Sequence, residues 1–563
     1  MFSKDLFGIL RVFLVSLCLG GSILFSPLSA DATELSYKTL ATLPIQQGGR
    51  VKPLDTFARE SVRIITGHES FEGRSSMDLL MDWLANAKNW ENKEFILMQN
   101  LELKSFLQIP VEQKWVTPEK LRNNEGFIAF ARTCYNKQQK KITLNPEEKE
   151  ALAVFERIQR FIDIESGDAW AIVPIPDSKT QGWASIGDLY RAYQRDMQKM
   201  PEAGKAVLDG TAALLKAYVA HDAASFDQAS SNLESLLAQI GGKDYVDPFK
   251  IKIEVQFNAL KPFLLAWIIH LLAALFIAAS LLSRTPSMVN LFFRPGFGLF
   301  MIGIGMSLYG FVLRCIIAGR PPVSNMYESL IWVTFGMTLF ALVFEFIFKT
   351  RTFALAGSIL AVIGFVLADN VPTILDPAIQ PIEPVLRSNF WLTIHVLTIT
   401  LSYAAFLLSL GVGHVCLWSL WNHPKDKNRL QQQTKLLYRV VQVGVVLLAA
   451  GTILGGVWAN YSWGRFWGWD PKETWALIAL LGYIAILHGR LAGWLRELGF
   501  TIGVVSAFLG VLMAWYGVNF ILGVGLHSYG FSKGGLPFVI AFVTVEISLL
   551  ILVGLKARNV VAA

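Results

Sequence analysis

The sequence predicts an all-α polytopic membrane protein: about nine transmembrane helices behind an N-terminal, mostly helical extracytoplasmic domain. Three observations predict it. Of the 563 residues, 53% are apolar and only 17% are charged, whereas about a quarter are charged in soluble domains. From Pro262 onward, apolar runs near the ~20 residues that cross a hydrocarbon core succeed one another. Lys and Arg sit in every second connection between those runs, as orientation in a bilayer demands.

Taken in order, the chain opens with Lys4 and Arg11 around the start of an apolar run, Val12 to Phe25. Pro27 and the small-x-small pattern Ala30-Asp31-Ala32 come next, so residues 1–32 read as a signal peptide. An uncleaved signal anchor is the other reading, and both export the segment that begins at residue 33. Residues 33–261 carry charges throughout and no long apolar run. Pro146-Glu147-Glu148 opens a helix whose Leu152, Phe155, Ile158, Phe161 and Ile162 recur at helical spacing. Gly204–Ala220 and Asp227–Ile240 also read as amphipathic helices, and Trp170 to Pro176 as extended chain. Gly48-Gly49 reads as a turn leading into a helix. His68 and His221 read as surface residues, and no catalytic constellation stands out in this half.

The nine candidate spans are Pro262–Leu282, Phe297–Ile317, Tyr327–Phe348, Phe353–Ala368, Phe390–Leu420, Val440–Ala459, Thr474–His488, Phe500–Val518 and Leu536–Leu555. The fourth and seventh are short and need their flanks. Basic residues gather after spans one, three, five, seven and nine (Arg284 and Arg294; Lys349 and Arg351; Lys425 to Lys435; Arg490 and Arg496; Lys556 and Arg558), which makes that side cytoplasmic. The net charge of +7 forms no long basic stripe and points to no nucleic acid. Cys18, Cys134, Cys315 and Cys416 form no C-x-x-C, which leaves no thioredoxin-like pair and no covalent haem-attachment motif.

Four segments then lie outside: 319–329, the Pro-rich 369–389, 459–475 and 523–530. Segment 459–475 packs Trp463, Trp467, Trp469 and Trp475 with Tyr461 and Phe466. Interfacial belts explain one or two such residues per span end. This density, with Gly464 and Gly468 allowing close approach, suits a planar ligand such as a porphyrin. Imidazole commonly holds haem iron. His395 lies near the outer end of span five and His527 in the last outer segment, on the same side as the aromatic residues. His488 lies ~21 Å from Thr474 at 1.5 Å per residue and belongs to an inner position, as haem ligand or as packing residue. His270 and His414 are weaker intramembrane candidates, and His423 is a loop residue. Asp470 before Pro471 has two readings, a helix N-cap and a ligand-orienting group. Arg465 likewise reads as a propionate partner or as an ordinary interfacial arginine.

The run Trp463-Gly-Arg-Phe-Trp-Gly-Trp-Asp-Pro-Lys-Glu-Thr-Trp475 resembles the WWD signature of haem-handling membrane proteins. With Pro322-Val-Ser-Asn-Met-Tyr-Glu-Ser329, Trp391-Leu-Thr-Ile-His395 and Gly523-Val-Gly-Leu-His-Ser-Tyr529 it is similar to the CcsA (ResC) family of cytochrome c biogenesis, over roughly residues 262–558. The resemblance implies a bacterial cytoplasmic-membrane protein that binds haem b and delivers it to the CxxCH segment of apocytochrome c, as a subunit of a holocytochrome c synthase. It implies His395 and His527 as external iron ligands, His488 as the inner haem ligand, and a separate CcsB/ResB-like membrane partner, since residues 1–261 hold only one hydrophobic segment. Two alternatives stand: passing haem to a chaperone, and a haem-containing quinol oxidoreductase subunit. The second needs a His pair at the inner depth, His488 with His270 or His414.

Overall fold

The computed structural model describes residues 35–140, 142–175, 182–198, 200–242, 245–371, 374–381, 389–523, 525 and 535–562. The chain forms two compact units. One holds residues up to Gln47 together with Pro53–Val246, the other Gly48–Lys52 together with Asp247–Ala563. From sequence, 247–261 belongs with the soluble half. In the structure that stretch, the helix Pro248–Leu260, groups with the membrane helices, and Arg50 forks onto its Glu254 at 2.8 and 2.9 Å.

The first unit is built mainly from α1 (Leu54–Thr66), α2 (Ser76–Ala85), α3 (Glu125–Gln139), α4 (Pro146–Glu165), α5 (Glu202–Val219) and α6 (Ala223–Gly241). A two-residue ladder, β1 (Ile96–Leu97) on β2 (Trp115–Val116), is antiparallel. The start of α4 is dictated by its residues. Asn145 accepts from the Glu148 amide at 2.7 Å, Glu148 accepts from the Asn145 amide at 3.0 Å, and Pro146 occupies the first turn, so the amides at the helix start are satisfied. Its buried stripe runs through Ala151, Val154, Ile158, Phe161 and Ile164. Phe155, expected on the apolar face, is exposed. Around Phe161 the rings of Trp83, Trp90 and Phe95 pack edge-to-face or stacked at 5.1–6.0 Å between centroids.

A polar network closes one side of this core. Asp78 accepts from Tyr37 at 2.7 Å, Arg74 at 2.6 Å and Tyr218 at 3.0 Å. Asp82 accepts from Arg74 at 2.5 Å, Asn86 at 2.7 Å and Trp90 at 2.9 Å. Burial alone would raise both carboxyls, yet these donors and the Arg74 charge hold them below the usual carboxylate range. Groups depressed in the folded state add stability that is present above their unfolded pKa, near ~4, and lost as pH falls through the lower folded value. Hydrogen-exchange protection of Ser76–Ala85, corrected for intrinsic rates, should therefore fall as the full-length protein is taken from about pH 5 toward pH 2. Asp78→Asn should flatten that dependence. Protection constant across the range would contradict the assignment.

Among the described residues of the second unit, nine helices are long and apolar enough to cross a membrane. They are α7 (Pro262–Leu282), which continues directly from Pro248–Leu260, α8 (Pro286–Ala318), α9 (Met326–Phe348), α10 (Thr352–Asn370), α11 (Leu397–Asn422), α12 (Lys427–Trp463), α13 (Pro471–Leu491), α14 (Glu497–Leu512) and α15 (Leu536–Ala562). A π-helical segment, Leu392–Val396, leads into α11, and another, Met513–Leu522, continues α14. The protein is a multi-pass, all-α membrane protein.

Helices α11 and α12 approach closely because glycine stands where they meet. A Cβ on Gly444 would lie 2.6 Å from Phe406, and one on Gly451 2.8 Å from the Ile399 backbone. Small residues at such contacts let helix backbones pack in lipid, where no hydrophobic force drives association. Cys134, Cys315 and Cys416 are free thiols.

Candidate functional site

The chain segments at one end of the bundle converge on a cavity of about 130 Å³. His395, Val396 and Ile399 line one side, Thr452, Gly455, Gly456 and Trp458 a second, and Phe466, Trp467, Lys472 and Glu473 a third. Ser324, Asn325, Met326 and Ser329 of α9 and its approach, with Trp515 and Asn519, complete it. Two of these walls are the π-helical segments, which carry His395 and the pair Trp515 and Asn519. One extra residue per turn re-aims side chains, and such segments concentrate at functional sites.

His395 is held by its surroundings. Its Nδ1 lies 2.9 Å from the Gly451 carbonyl. A carbonyl only accepts, so Nδ1 carries a proton, and in the neutral ring the lone pair is on Nε2. The ring leans on Trp458 at 5.6 Å. A Cβ on Gly455 would lie 2.6 Å from the ring, so glycine is required there.

The aromatic segment folds more tightly than its sequence implied. Expected to be a loop from Ala459 to Trp475, it is helical to Trp463, ends on Gly464 in the left-handed region (φ 71°), and resumes as helix at Pro471. Asp470 is the N-cap of α13. It accepts from the Lys472 amide at 3.0 Å, while Glu473 accepts from the Asp470 amide at 3.1 Å. Glu473 also accepts from the Gly468 amide at 2.8 Å and from Arg465 at 3.3 Å. Arg465 in turn lies 5.6 Å over the Trp463 ring. Of the two readings of Asp470, this geometry supplies the cap.

Trp463 meets Trp458 at 5.5 Å, and Trp467 meets Trp469 edge-on at 5.8 Å. Trp469 is 69% exposed with φ 56°, and Tyr461 is 75% exposed. A bulky residue in the left-handed region is strained. Glu473, bonded to the amides on both sides of Trp469, holds it there. Trp475 is half-buried on the first turn of α13. His395, Trp458, Trp463 and Trp467 thus belong to one continuous surface, with Trp469 at its exposed rim. His527 lies outside the described residues. Gly525, two positions before it, stands so close to the α13 start that a Cβ would meet Pro471 Cδ at 2.9 Å.

The inner histidines separate from this site and from each other. His488 is exposed on the outside of the bundle, its Nδ1 2.8 Å from the Ile484 carbonyl, roughly 27 Å along α13 from Asp470. His270 is fully buried between Phe300 and Phe365, at 5.6 and 6.4 Å, and a Cβ on Gly303 would touch its ring. His414 pairs with Glu546 of α15. His68 and His221 are exposed, as expected for surface residues.

Three features escaped the sequence reading. Gly451, Gly455 and Gly456 seat His395 and Phe466, and their small-xxx-small spacing was a readable signal. Asn519 lines the cavity, and its buried Oδ1 is bonded to no described residue. Glu328, fully buried, accepts from Arg314 at 3.0 and 3.2 Å, from Arg320 at 3.3 Å and from Ser324 at 2.8 Å. The two arginines donate onward to the Pro377 and Gln380 carbonyls, both at 2.9 Å. This cluster ties the 320–324 and 377–380 segments together behind the cavity wall.

Residues 323–527, which contain the cavity and the aromatic segment, match the family model described as Cytochrome C assembly protein. Protein NrfI of Wolinella succinogenes is 30% identical over 506 residues, 85% of this chain and 53% of NrfI. The chain thus spans about half the length of that relative. Cytochrome c biogenesis protein CcsA of Prochlorococcus marinus subsp. pastoris is 37% identical over 256 residues, 40% of this chain and 79% of that protein. The CcsA of Prochlorococcus marinus strain MIT 9215 is 33% identical over 295 residues, 45% of this chain and 92% of the relative. A bundle of this make, with the aromatic segment and His395 inside the matched stretch, belongs to the CcsA family of cytochrome c biogenesis proteins.

Proposed function

We propose that this chain binds haem b on the extracytoplasmic face of the bacterial cytoplasmic membrane and presents it for covalent attachment to the CxxCH segment of apocytochrome c. The observation that carries the reading is the setting of His395. Its Nδ1 donates to the Gly451 carbonyl, so Nε2 would be the ligating nitrogen, the arrangement in which metal-bound imidazoles are found. The ring lines one cavity with Trp458 and Trp467, indole rings that would suit the face of a macrocycle. The enclosed volume of about 130 Å³ is below the ~300–1,000 Å³ of pockets that engulf a ligand. A planar macrocycle would then rest on the aromatic residues around the cavity and not be engulfed by it.

In this reading His395 and His527 would be the residues that hold the iron. Haem itself supplies the vinyl groups that receive the thiols. The chain's part is placement, keeping a haem edge and a thiol pair within reach of each other. Trp463, Trp467, Trp469 and Trp475 would hold the macrocycle, and Asp470 caps the helix at the end of the segment that carries them. Arg465, already bonded to Glu473, braces the same segment.

His488 forms an inner site. Its exposure on the outside of the bundle supports a second ligand from a CcsB/ResB-like partner helix. The quinol-oxidoreductase reading needs an inner pair within this chain. It is weakened by the enclosure of His270 and the engagement of His414.

Purified from membranes together with its partner, the protein should show a low-spin haem spectrum. His488→Ala should lower outer-site loading by about tenfold or more when haem comes only from the cytoplasm, the scale of losing a metal-site contact. A haem-free wild-type protein overturns the function. Unchanged loading in His488→Ala overturns the inner site alone.

A further inference from the structure

Helix α15 lies at the edge of the bundle. Among its described residues only Glu546, Leu550 and Val553 are buried. They form one stripe at i, i+4 and i+7. Packing would be served by an apolar residue at 546, yet the stripe begins with a carboxylate. Its partner is His414 of α11, with Nε2 3.1 Å from Oε1. The other ring nitrogen, Nδ1, lies 2.8 Å from the Leu410 carbonyl. Oε2 of Glu546 is buried and bonded to no described residue.

These contacts fix the proton count. The Leu410 carbonyl only accepts, so Nδ1 keeps its hydrogen. A second hydrogen must then lie between Nε2 and Oε1, because a lone pair facing a carboxylate would repel it. The pair is neutral with that hydrogen on either atom: imidazolium with carboxylate, or imidazole with carboxylic acid. Moving it breaks one N–H bond and forms one O–H bond without net change of charge. Losing it leaves a negative charge inside the membrane, the state that burial opposes most. The carboxylate is covered by protein, while the imidazole side chain is 35% exposed, so the pair meets the surface of the bundle through the ring.

We propose that His414 and Glu546 form a proton-sharing pair within the membrane, in which one proton passes between Nε2 and Oε1. The site lies roughly 28 Å along α11 from His395, toward the Asn422 end, and uses no residue of the haem reading. Helices α11 and α14 pack on α15. Their other ionisable groups are Tyr403 and Cys416 on α11 and Glu497 on α14, while α15 adds Lys556 and Arg558. Glu497 is bridged to Arg490 at 3.3 Å, and Lys556 stands 3.8 Å over the Trp421 ring. Tyr403 and Cys416 are buried. His414 is thus the ionisable group that faces Glu546 most directly among the described residues, and the carboxyl answers chiefly to it.

The test uses the purified full chain and dicyclohexylcarbodiimide, an apolar reagent that adds to a carboxyl group only in its protonated form. The adduct on the peptide containing Glu546 is read by mass. In the wild type it should form at pH 6, but at least about fivefold more slowly than in His414→Gln, because the shared proton is on Oε1 for only part of the time. His414→Gln leaves the carboxyl as the proton's only place in the pair, so it is labelled as the acid. Comparing the two at one pH removes the reagent's own pH dependence. Glu546→Gln should give no adduct. A wild-type protein unlabelled at pH 6 would mean a fixed ion pair with no proton on the carboxyl. Labelling equal to that of His414→Gln would mean a proton held on the carboxyl and not shared. Either result overturns the proposal, and neither bears on haem binding.

Discussion

His395→Gly and His527→Gly should each abolish cytochrome c maturation in cells that accumulate the protein at normal levels. Loss of a single hydrogen-bond partner behind a metal ligand costs about 10–100-fold, and loss of the ligand itself should cost no less. Free imidazole should then restore part of the activity. The aromatic residues remain in place, and the vacated ring leaves a volume that imidazole fits. Trp467→Ala and Trp469→Ala should be resistant to that rescue, because imidazole cannot rebuild a stacking surface. Gly455→Val makes a third class. Its side chain would occupy the space of the His395 ring, 2.6 Å from the first added carbon, so the ligand stays in the chain but is displaced, and free imidazole has no vacancy to fill. Maturation assays with and without imidazole separate the three classes. Full activity and an unchanged low-spin spectrum in both histidine variants would return His395 and His527 to ordinary polar residues.

How much of the fold was legible in the sequence depends on which interactions are local. Apolar runs near 20 residues long gave nine spans, and nine such helices stand among the described residues. Their ends were read less well. The start of α8 was placed at Phe297, after the basic residues Arg284 and Arg294. The helix begins at Pro286 and carries Pro295 inside it. Similarly α12 runs on to Trp463, so part of the aromatic segment is helix. Asp470 and Pro471 announced the start of α13 because an N-cap depends on a few neighbouring residues. His395 was legible as a polar residue near a span end, but the π-helical turn that aims it and the Gly451 carbonyl that fixes its proton depend on how α11 meets α12. The Glu546 pair depends on α15 docking beside α11. Ionisable residues within spans were the available signal, and Arg314, Glu328, His414 and Glu546 all carried it.

The Glu328 cluster should dominate the stability of the cavity end of the bundle. Arg314 and Glu328 are 1% and 0% exposed and Arg320 is 9% exposed, so one carboxylate balances two guanidinium groups away from water. Removing the partner of a buried charge typically costs about 3–5 kcal/mol, mostly because the charge left behind is unsolvated. Glu328→Leu leaves two such charges and also strips the Ser324 amide and hydroxyl of their acceptor. The variant should lose most of its folded population in membranes, measured as full-length protein resistant to protease in detergent. Glu328→Gln should be milder, since the amide oxygen still accepts from Ser324 and Arg314. Arg314→Met with Arg320→Met in the Glu328→Leu background should recover much of the loss, because an apolar replacement of the whole cluster leaves no charge unpaired. Maturation should not recover with it. The arginines would no longer hold the Pro377 and Gln380 carbonyls, and the Ser324-Asn325 wall of the cavity would lose its anchor. Recovery of stability and activity together would reduce the cluster to packing, and failure to recover stability would show that the charge imbalance is not what Glu328 corrects.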